Sequence, residues 1–304
     1  MCGKRLGSVL VVGAGALGSR VIPRLAEAEI DRIGIVDGDI VTDRNKASQP
    51  AYSLADTSKV TYKSDFLASS LSSEHPGKRF DSYPFYIGTG RAESLTGEYD
   101  IVVDLTDNLQ TRLVLNSVCV KLSKPAVFAS IDEREGFFYV YSDGSACYNC
   151  IHRKAVGRIN EGCDSSSVLP ADGFVEEVVS GVLEPTPGSL RYSSFANYSH
   201  LVVEIMKDES CEVCSAHDYS RTGLSRFIQL CGSGVKVSLQ RELNLKEIRG
   251  RLEGYSLDWD DDYLLASRDG KSVLISPRGD MLFTGYDKTG AETLLDSLVS
   301  ASPG

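Results

Sequence analysis

Short apolar runs alternate with amphipathic stretches through the first half of the chain. Ser8–Val12 (SVLVV) is an unbroken β-branched run, followed by a glycine-rich turn and a helical pattern, SRVIPRLAEAEI. Arg32–Val36 (RIGIV) is a second buried strand that ends in Asp37. A short apolar run bounded by turn residues suits a strand covered on both faces, and apolar positions three and four apart suit a helix. Helical patterns recur near 60–71 and 109–122, and strands end at Asp104 and near Ser130. This alternation predicts a doubly wound, mostly parallel Rossmann-like sheet with helices on both faces. Phe137–Tyr141 (FFYVY) reads as an antiparallel addition. Residues 152–190, rich in Gly, Ser, Pro and acids, read as one long, partly mobile loop, and a helix is expected from about Ser193 to Met206.

The texture changes after Cys231. VKVSLQ reads as a strand, LNLKEIRGRLE as a helix, and YLLAS, SVLIS and MLFTGY as three short strands joined by RDGK and SPRGD turns. AETLLDSLVS closes the chain as a helix. The expected division is an α/β domain over 1–232 and a small α+β domain over 233–304, within the usual range of domain sizes.

Composition narrows the class. The 304 residues, 42% hydrophobic, hold no apolar run near the ~20 residues needed to cross a bilayer. The N-terminal apolar run leads into a glycine turn, unlike a signal peptide, so a cytoplasmic protein with no membrane partner is expected. A net charge of −10 disfavours a nucleic-acid partner.

Two stretches carry nucleotide chemistry. In Gly13-Ala-Gly-Ala-Leu-Gly18, Gly13 suits a tight turn, Gly15 a close backbone approach to phosphate and Gly18 close helix–strand packing. Asp37, at the end of the next strand, is placed to accept ribose hydroxyls. The glycine motif alone does not separate a dinucleotide from ATP. The stretch Asp104-Leu-Thr-Asp-Asn108 does: a carboxylate in the same crevice repels a bare pyrophosphate but suits Mg²⁺ bridging ATP phosphates. The bland reading is that Asp107 caps the next helix, with Asn108 beside it in the first turn.

Four of the eight cysteines form two C-x-x-C pairs, Cys147/Cys150 and Cys211/Cys214. Four thiolates at this spacing make a closed, structural zinc site; four buried free thiols are the alternative. Cys2 and Cys119 read as structural. No histidine stands at a spacing that suggests a hydrolytic triad.

In order, the segments GAGALG, DGDIVTDRNKASQ, DLTDNLQTRLVLN, CYNC and CEVC resemble the ThiF/MoeB/HesA adenylyltransferases, relatives of the ubiquitin-activating enzymes. The resemblance covers roughly residues 8–232. It implies adenylylation, with Mg-ATP, of the C-terminal carboxylate of a small ubiquitin-like or sulfur-carrier protein ending in Gly-Gly, and usually a homodimer. It places Asp37 on the ribose and Asp107 on Mg²⁺, with Asp39 and Asn108 in the same nucleotide site. Asn45, Gln49, Lys59 and Arg112 fall at positions that line the phosphates or support that loop. Cys163 is the one cysteine in the long loop, upstream of Gly181–Pro185 (GVLEP), near which the family's reactive cysteine lies where it exists.

The sequence also departs from the family pattern. Ser48 stands where members carry a phosphate-binding arginine, with Arg44 four residues away. Only seven residues precede Ser8, where members carry an arginine-bearing helix. Loss of such cations raises a barrier that charge stabilisation would lower. Three readings stay open: carrier-protein adenylylation, adenylation of another carboxylate such as a peptide or tRNA-linked one, and a scaffold that binds without turnover.

Overall fold

A computed structural model of the protein describes residues 6–131, 135–154, 172–195, 197, 199–219, 227–229, 234–239 and 241–299. The chain divides into two compact units, Met1–Gly223 and Leu224–Gly304.

The first unit opens with β1 (Leu6–Val12), α1 (Gly18–Glu27) and β2 (Ile30–Val36), a parallel βαβ unit read directly from the apolar pattern. There follow α2 (Asp43–Ser48), a single turn of 3₁₀ helix (Pro50–Tyr52), α3 (Lys63–Glu74), β3 (Arg79–Tyr83) and α4 (Thr89–Glu98). Then come β4 (Ile101–Asp104), α5 (Leu109–Lys121), β5 (Ala126–Ile131) and β6 (Glu135–Tyr141). The unit continues with α6 (Tyr148–Lys154), α7 (Asp172–Leu183), β7 (Ser189–Ser194) and β8 (Ser199–Glu204).

The eight strands form one sheet in the order β3-β2-β1-β4-β5-β6-β7-β8. β1 to β5 are parallel, and β6, β7 and β8 add antiparallel. Every residue of β4 and the last four of β1 are buried. That is why these strands read as continuous apolar runs rather than as alternations. Val12 pairs with Val36 on one side and with Asp104 on the other. The carboxyl ends of β1, β2 and β4 are therefore level, and the strand order reverses beside β1, where such sheets open a crevice.

Two stretches differ from the sequence expectation. The expected helix from Ser193 to Met206 is instead the β7–β8 hairpin, with Ser194 opposite Ser199. β8 is an edge strand with all six residues exposed, so no in–out alternation marks it as a strand. The expected loop 152–190 contains α7, whose Phe174, Val175, Val178, Val179 and Val182 are buried at helical spacing. Its β-branched and glycine residues hide a helix that tertiary packing enforces. Residues 155–171, with Cys163, lie outside the described residues.

The second unit is an antiparallel sheet in the order β11-β12-β13-β14-β10-β9. Its strands are β9 (Phe227–Gln229), β10 (Gly234–Ser238), β11 (Ser256–Trp259), β12 (Leu264–Arg268), β13 (Lys271–Ile275) and β14 (Asp280–Thr284). Two helices, α8 (Leu245–Gly250) and α9 (Lys288–Val299), contribute Leu245, Ile248, Ala291, Leu295 and Leu298 to its core. Asp269 and Gly270, at φ 51° and 74°, form the tight hairpin turn between β12 and β13.

Candidate functional site

The glycine turn is built as its spacing implies. Gly13 adopts φ 98°, and a Cβ there would come within 2.9 Å of the Leu105 backbone. A Cβ at Gly18 would stand 2.0 Å from the Gly13 carbonyl oxygen, so α1 can start this close to β1 only from glycine. A Cβ at Gly15 would meet nothing within 4 Å. The first and last glycines thus serve packing, while the middle one faces open space at the start of α1, where a phosphate can approach backbone N–H groups.

Asp37 closes the turn from the neighbouring strand. Its Oδ2 accepts from Ala14 N at 2.7 Å and its Oδ1 from Asp39 N at 2.8 Å. Tyr52, fully buried, donates its hydroxyl to the Ala14 carbonyl at 2.6 Å. Burial first, and then the charges of Asp37 and Asp39, hold the Tyr52 phenol well above its ordinary range, so it stays a donor.

The DLTDN stretch divides its labour. Asp104 is completely buried, and its Oδ2 accepts from Arg112 Nε at 3.2 Å while its Oδ1 accepts from Thr106 N and Oγ1. Arg112, also buried, donates further to the carbonyls of Thr106 and Ala129. Its guanidinium therefore ties the β4–α5 loop to the end of β4 and to β5. Asn108 is the N-cap of α5, accepting from Gln110 N and Thr111 N; it, and not Asp107, caps this helix. Asp107 is left exposed on the loop above.

The segment after β2 is similarly occupied. Asn45 is buried as the third residue of a capping box with Thr42, so its carbonyl serves α2. Gln49 is also buried, and its side-chain carbonyl has no partner among the described residues. Ser48 bonds back to the Arg44 carbonyl.

Lys59 lies exposed in a turn. Lys63, four residues on and missed in the sequence reading, is the lysine built into the strand ends. It is buried, pairs with Asp39 through Nζ–Oδ2 at 3.4 Å, and donates its backbone N–H to the Asp39 carbonyl at 2.8 Å. Beside it Ser64 Oγ donates to the Asp37 carbonyl at 3.0 Å. No local signal marks it: α2 and the 3₁₀ turn lie between the Asp37-x-Asp39 strand end and the helix that Lys63 opens, so the pairing is long-range.

The two C-x-x-C pairs meet. All four sulfurs lie within 4.8 Å of one another and all four residues are buried. Cys147 and Cys211 are 3.7 Å apart at sulfur, Cys150 and Cys214 3.5 Å. A disulfide would need about 2.05 Å, whereas sulfurs around a tetrahedral zinc at ~2.3 Å stand about 3.8 Å apart. Asn149 Nδ2 donates to the Cys211 sulfur at 3.4 Å, and Asn116 holds Tyr148 N at 2.7 Å, fixing the start of α6. A hydrogen bond from Cys147 pulls the Cys150 thiol down to about 4, while burial pushes Cys214 up to about 11. A buried cluster of this kind holds several negative charges only around a cation. The donor set fits a metal ion.

Fold and site together define a Rossmann-like α/β domain with a glycine-turn crevice and a four-cysteine centre. A model of the ThiF family matches residues 4–247, and the chain belongs to that family. It is 29% identical over 241 residues to the sulfur carrier protein adenylyltransferase of Thermus thermophilus, a match covering 74% of this chain and 88% of that one. It is 27% identical over 268 residues to the adenylyltransferase and sulfurtransferase uba4 of Aspergillus fumigatus, covering 78% of this chain and 54% of that one. The chain thus spans about half the length of such Uba4 relatives. Among solved structures, E. coli MccB with ATP superposes with a TM-score of 0.56 at 18% identity, over 68% of this chain and 66% of that one; the shared feature is the fold. No helix among the described residues is long and apolar enough to cross a membrane.

Proposed function

We propose that the protein is an adenylyltransferase that uses Mg-ATP to activate the C-terminal carboxylate of a small ubiquitin-like or sulfur-carrier protein ending in Gly-Gly, releasing pyrophosphate. The observation that supports this reading is that β1, β2 and β4 end level, with Gly15, Asp37 and Asp107 on the segments that leave them, in a chain of the ThiF family. The open space at Gly15 and the exposed Asp107 carboxylate fit a magnesium–triphosphate.

Asp107 would hold Mg²⁺, which neutralises phosphate charge when bound, while Asn108, its carbonyl engaged by the first amides of α5, fixes the loop that carries it. Asp37 and Asp39 lie where the ribose is expected. Lys63 is the cation this geometry favours for the developing charge on the α-phosphate; Lys59, on the neighbouring turn, serves the outer phosphates. Gln49 keeps a buried side-chain carbonyl with no partner among the described residues, an acceptor for a donor group of the bound nucleotide, and Asn45 and Arg112 keep the two loops in place. The attacking carboxylate is already ionised and needs no general base, so the chain's contribution is orientation and charge neutralisation of an in-line displacement. A cation that acts only in the transition state is worth about 10²–10³ in rate, so an enzyme with Ser48 in place of an arginine is slow rather than inactive.

The carrier reading is further supported by β8. Leu201, Val202 and Val203 are exposed along a sheet edge, where an incoming strand finds unpaired backbone groups. Cys163 stays a candidate acceptor of the acyl group, and a homodimer with a structural zinc at the four cysteines is the expected assembly.

The test is pyrophosphate exchange into ATP in the presence of a Gly-Gly-ending carrier. Label should enter ATP only with the carrier, and Asp107→Ala should abolish it. Exchange driven by a short peptide instead would replace the carrier, and exchange that survives Asp107→Ala would remove the metal assignment.

A further inference from the structure

We propose that Tyr86 is a positioning residue for Lys63, acting through the Asp39 carboxylate. The inference rests on the reading above in which Lys63 serves the nucleotide phosphates.

Tyr86 lies in the short segment between β3 and α4. Its hydroxyl donates to Asp39 Oδ1 at 2.9 Å, while the other oxygen of the same carboxylate faces Lys63 Nζ at 3.4 Å. Asp39 is fixed at its backbone as well: its N–H donates to the Asp37 carboxylate, and its carbonyl accepts from Lys63 N. Asp37 in turn holds the glycine turn through Ala14 N. A chain of contacts therefore runs from the phosphate-facing turn to the ammonium, and the Tyr86 hydroxyl bears on a torsion in it that the backbone leaves open, the rotation of the Asp39 carboxylate.

The approach is built into the backbone. The Tyr86 ring lies over Gly38, where a Cβ would stand 2.7 Å from two ring carbons. Gly38 separates the two aspartates of the Asp-x-Asp pair, so a side chain there would push the tyrosine off its carboxylate. Arg91 holds the far side, donating to the Tyr86 carbonyl at 3.2 Å while its guanidinium covers the Phe85 ring at 4.5 Å.

A hydroxyl that fixes one carboxylate oxygen turns the other toward the lysine. This keeps the ammonium at a constant place while leaving the 3.4 Å pair loose enough for a phosphate to compete. Without that hydrogen bond the carboxylate rotates, and the ammonium is no longer presented in one geometry.

Tyr86→Phe keeps the ring and its packing on Gly38 and removes only the hydroxyl. The first measurement is made on the unliganded protein: the rate at which N-hydroxysuccinimidyl acetate acetylates Lys63, read by peptide mass spectrometry, with exposed Lys59 as internal control. Tyr86→Phe and Asp39→Asn should each raise the Lys63 rate several-fold and leave Lys59 unchanged. The double variant should match Asp39→Asn alone, because both act through one carboxylate. An unchanged Lys63 rate in Tyr86→Phe, or additive effects in the double variant, would overturn the proposal. The second measurement is kcat for carrier-dependent pyrophosphate exchange, which should fall about tenfold in Tyr86→Phe with KM for ATP held within about twofold. Faster labelling without a change in kcat keeps the positioning role and removes Lys63 from the chemistry, so the two failures are separable.

Discussion

The two aspartates of DLTDN are three residues apart and have opposite fates. Asp104 is wholly buried against Arg112 and Thr106, and Asp107 is exposed. Removing one partner of a buried ion pair leaves an uncompensated charge and typically costs about 3–5 kcal/mol. Asp104→Asn should therefore lower stability by about that amount in urea unfolding, with the β4–α5 loop loosened. Asp107→Asn should leave stability within about 0.5 kcal/mol, as surface changes do, and remove exchange activity. Equal effects of the two on stability would show that the roles are wrongly divided. The same spacing hid a choice between lysines. Lys59 and Lys63 are alike as residues in a polar segment. What separates them is a long-range fact, that Asp39 and Lys63 are carried by β2 and α3 to within 3.4 Å.

At the scale of elements, the glycine turn supports a sharper contrast. Gly18→Ala places a methyl 2.0 Å from the Gly13 carbonyl, a clash with backbone that only a shift of α1 relieves. Several kcal/mol of destabilisation is expected, since overpacking alone costs about 1–3 kcal/mol where side chains can yield. Gly15→Ala meets nothing, so thermal unfolding should be unchanged, while ATP affinity measured by calorimetry should fall tenfold or more. If ATP binds Gly15→Ala as it binds the parent, no phosphate lies against that backbone. The βαβ unit, α5 and the hairpin strands of the second unit were legible because burial on both faces, or on one clean stripe, writes itself into the apolar pattern. The β7–β8 hairpin and α7 were not. An edge strand exposed on both faces has no pattern to read, and α7 is a helix of Val and Gly residues made by its packing, with Phe174 against Phe138 and Phe195. The same limit applied to the site: Asp37, the glycines and the cysteine pairs follow local rules, whereas Lys63, Tyr52 and Tyr86 become visible only once the strands are ordered.

For the first unit as a whole, the cysteine centre is a clasp between distant parts of the chain. Cys147 and Cys211 close a loop of 64 residues that contains α6, α7, β7 and β8. For a loop of that length the chain-entropy argument gives about 4 kcal/mol, and a metal ion that joins four thiolates supplies it with no disulfide. Strands β1, β2, β4 and β5 stand outside the clasp, and their core also takes in Phe174, Val175, Val178, Val179 and Val182 of α7 from within it. Loss of the metal should therefore loosen α6 and the 208–216 turn, which carry the cysteines, and leave the apolar core that α7 shares with these strands. Purified protein should carry one zinc per chain. Cys214→Ser, or a chelator strong enough to strip the ion, should lower Tm by about 10 °C, taking ~2–4 °C per kcal/mol for a domain of this size. Hydrogen exchange should quicken over α6 and the 208–216 turn, while the amides of β1 and β4 stay protected. Because the glycine turn, Asp37 and Lys63 belong to the protected part, ATP should still bind the stripped protein, and coupling to the carrier should fail first, since β8 lies within the clasped loop. Uniform loss of protection across β1 and β4 would mean the metal holds the whole fold, and unchanged exchange around α6 would mean the four thiols hold nothing.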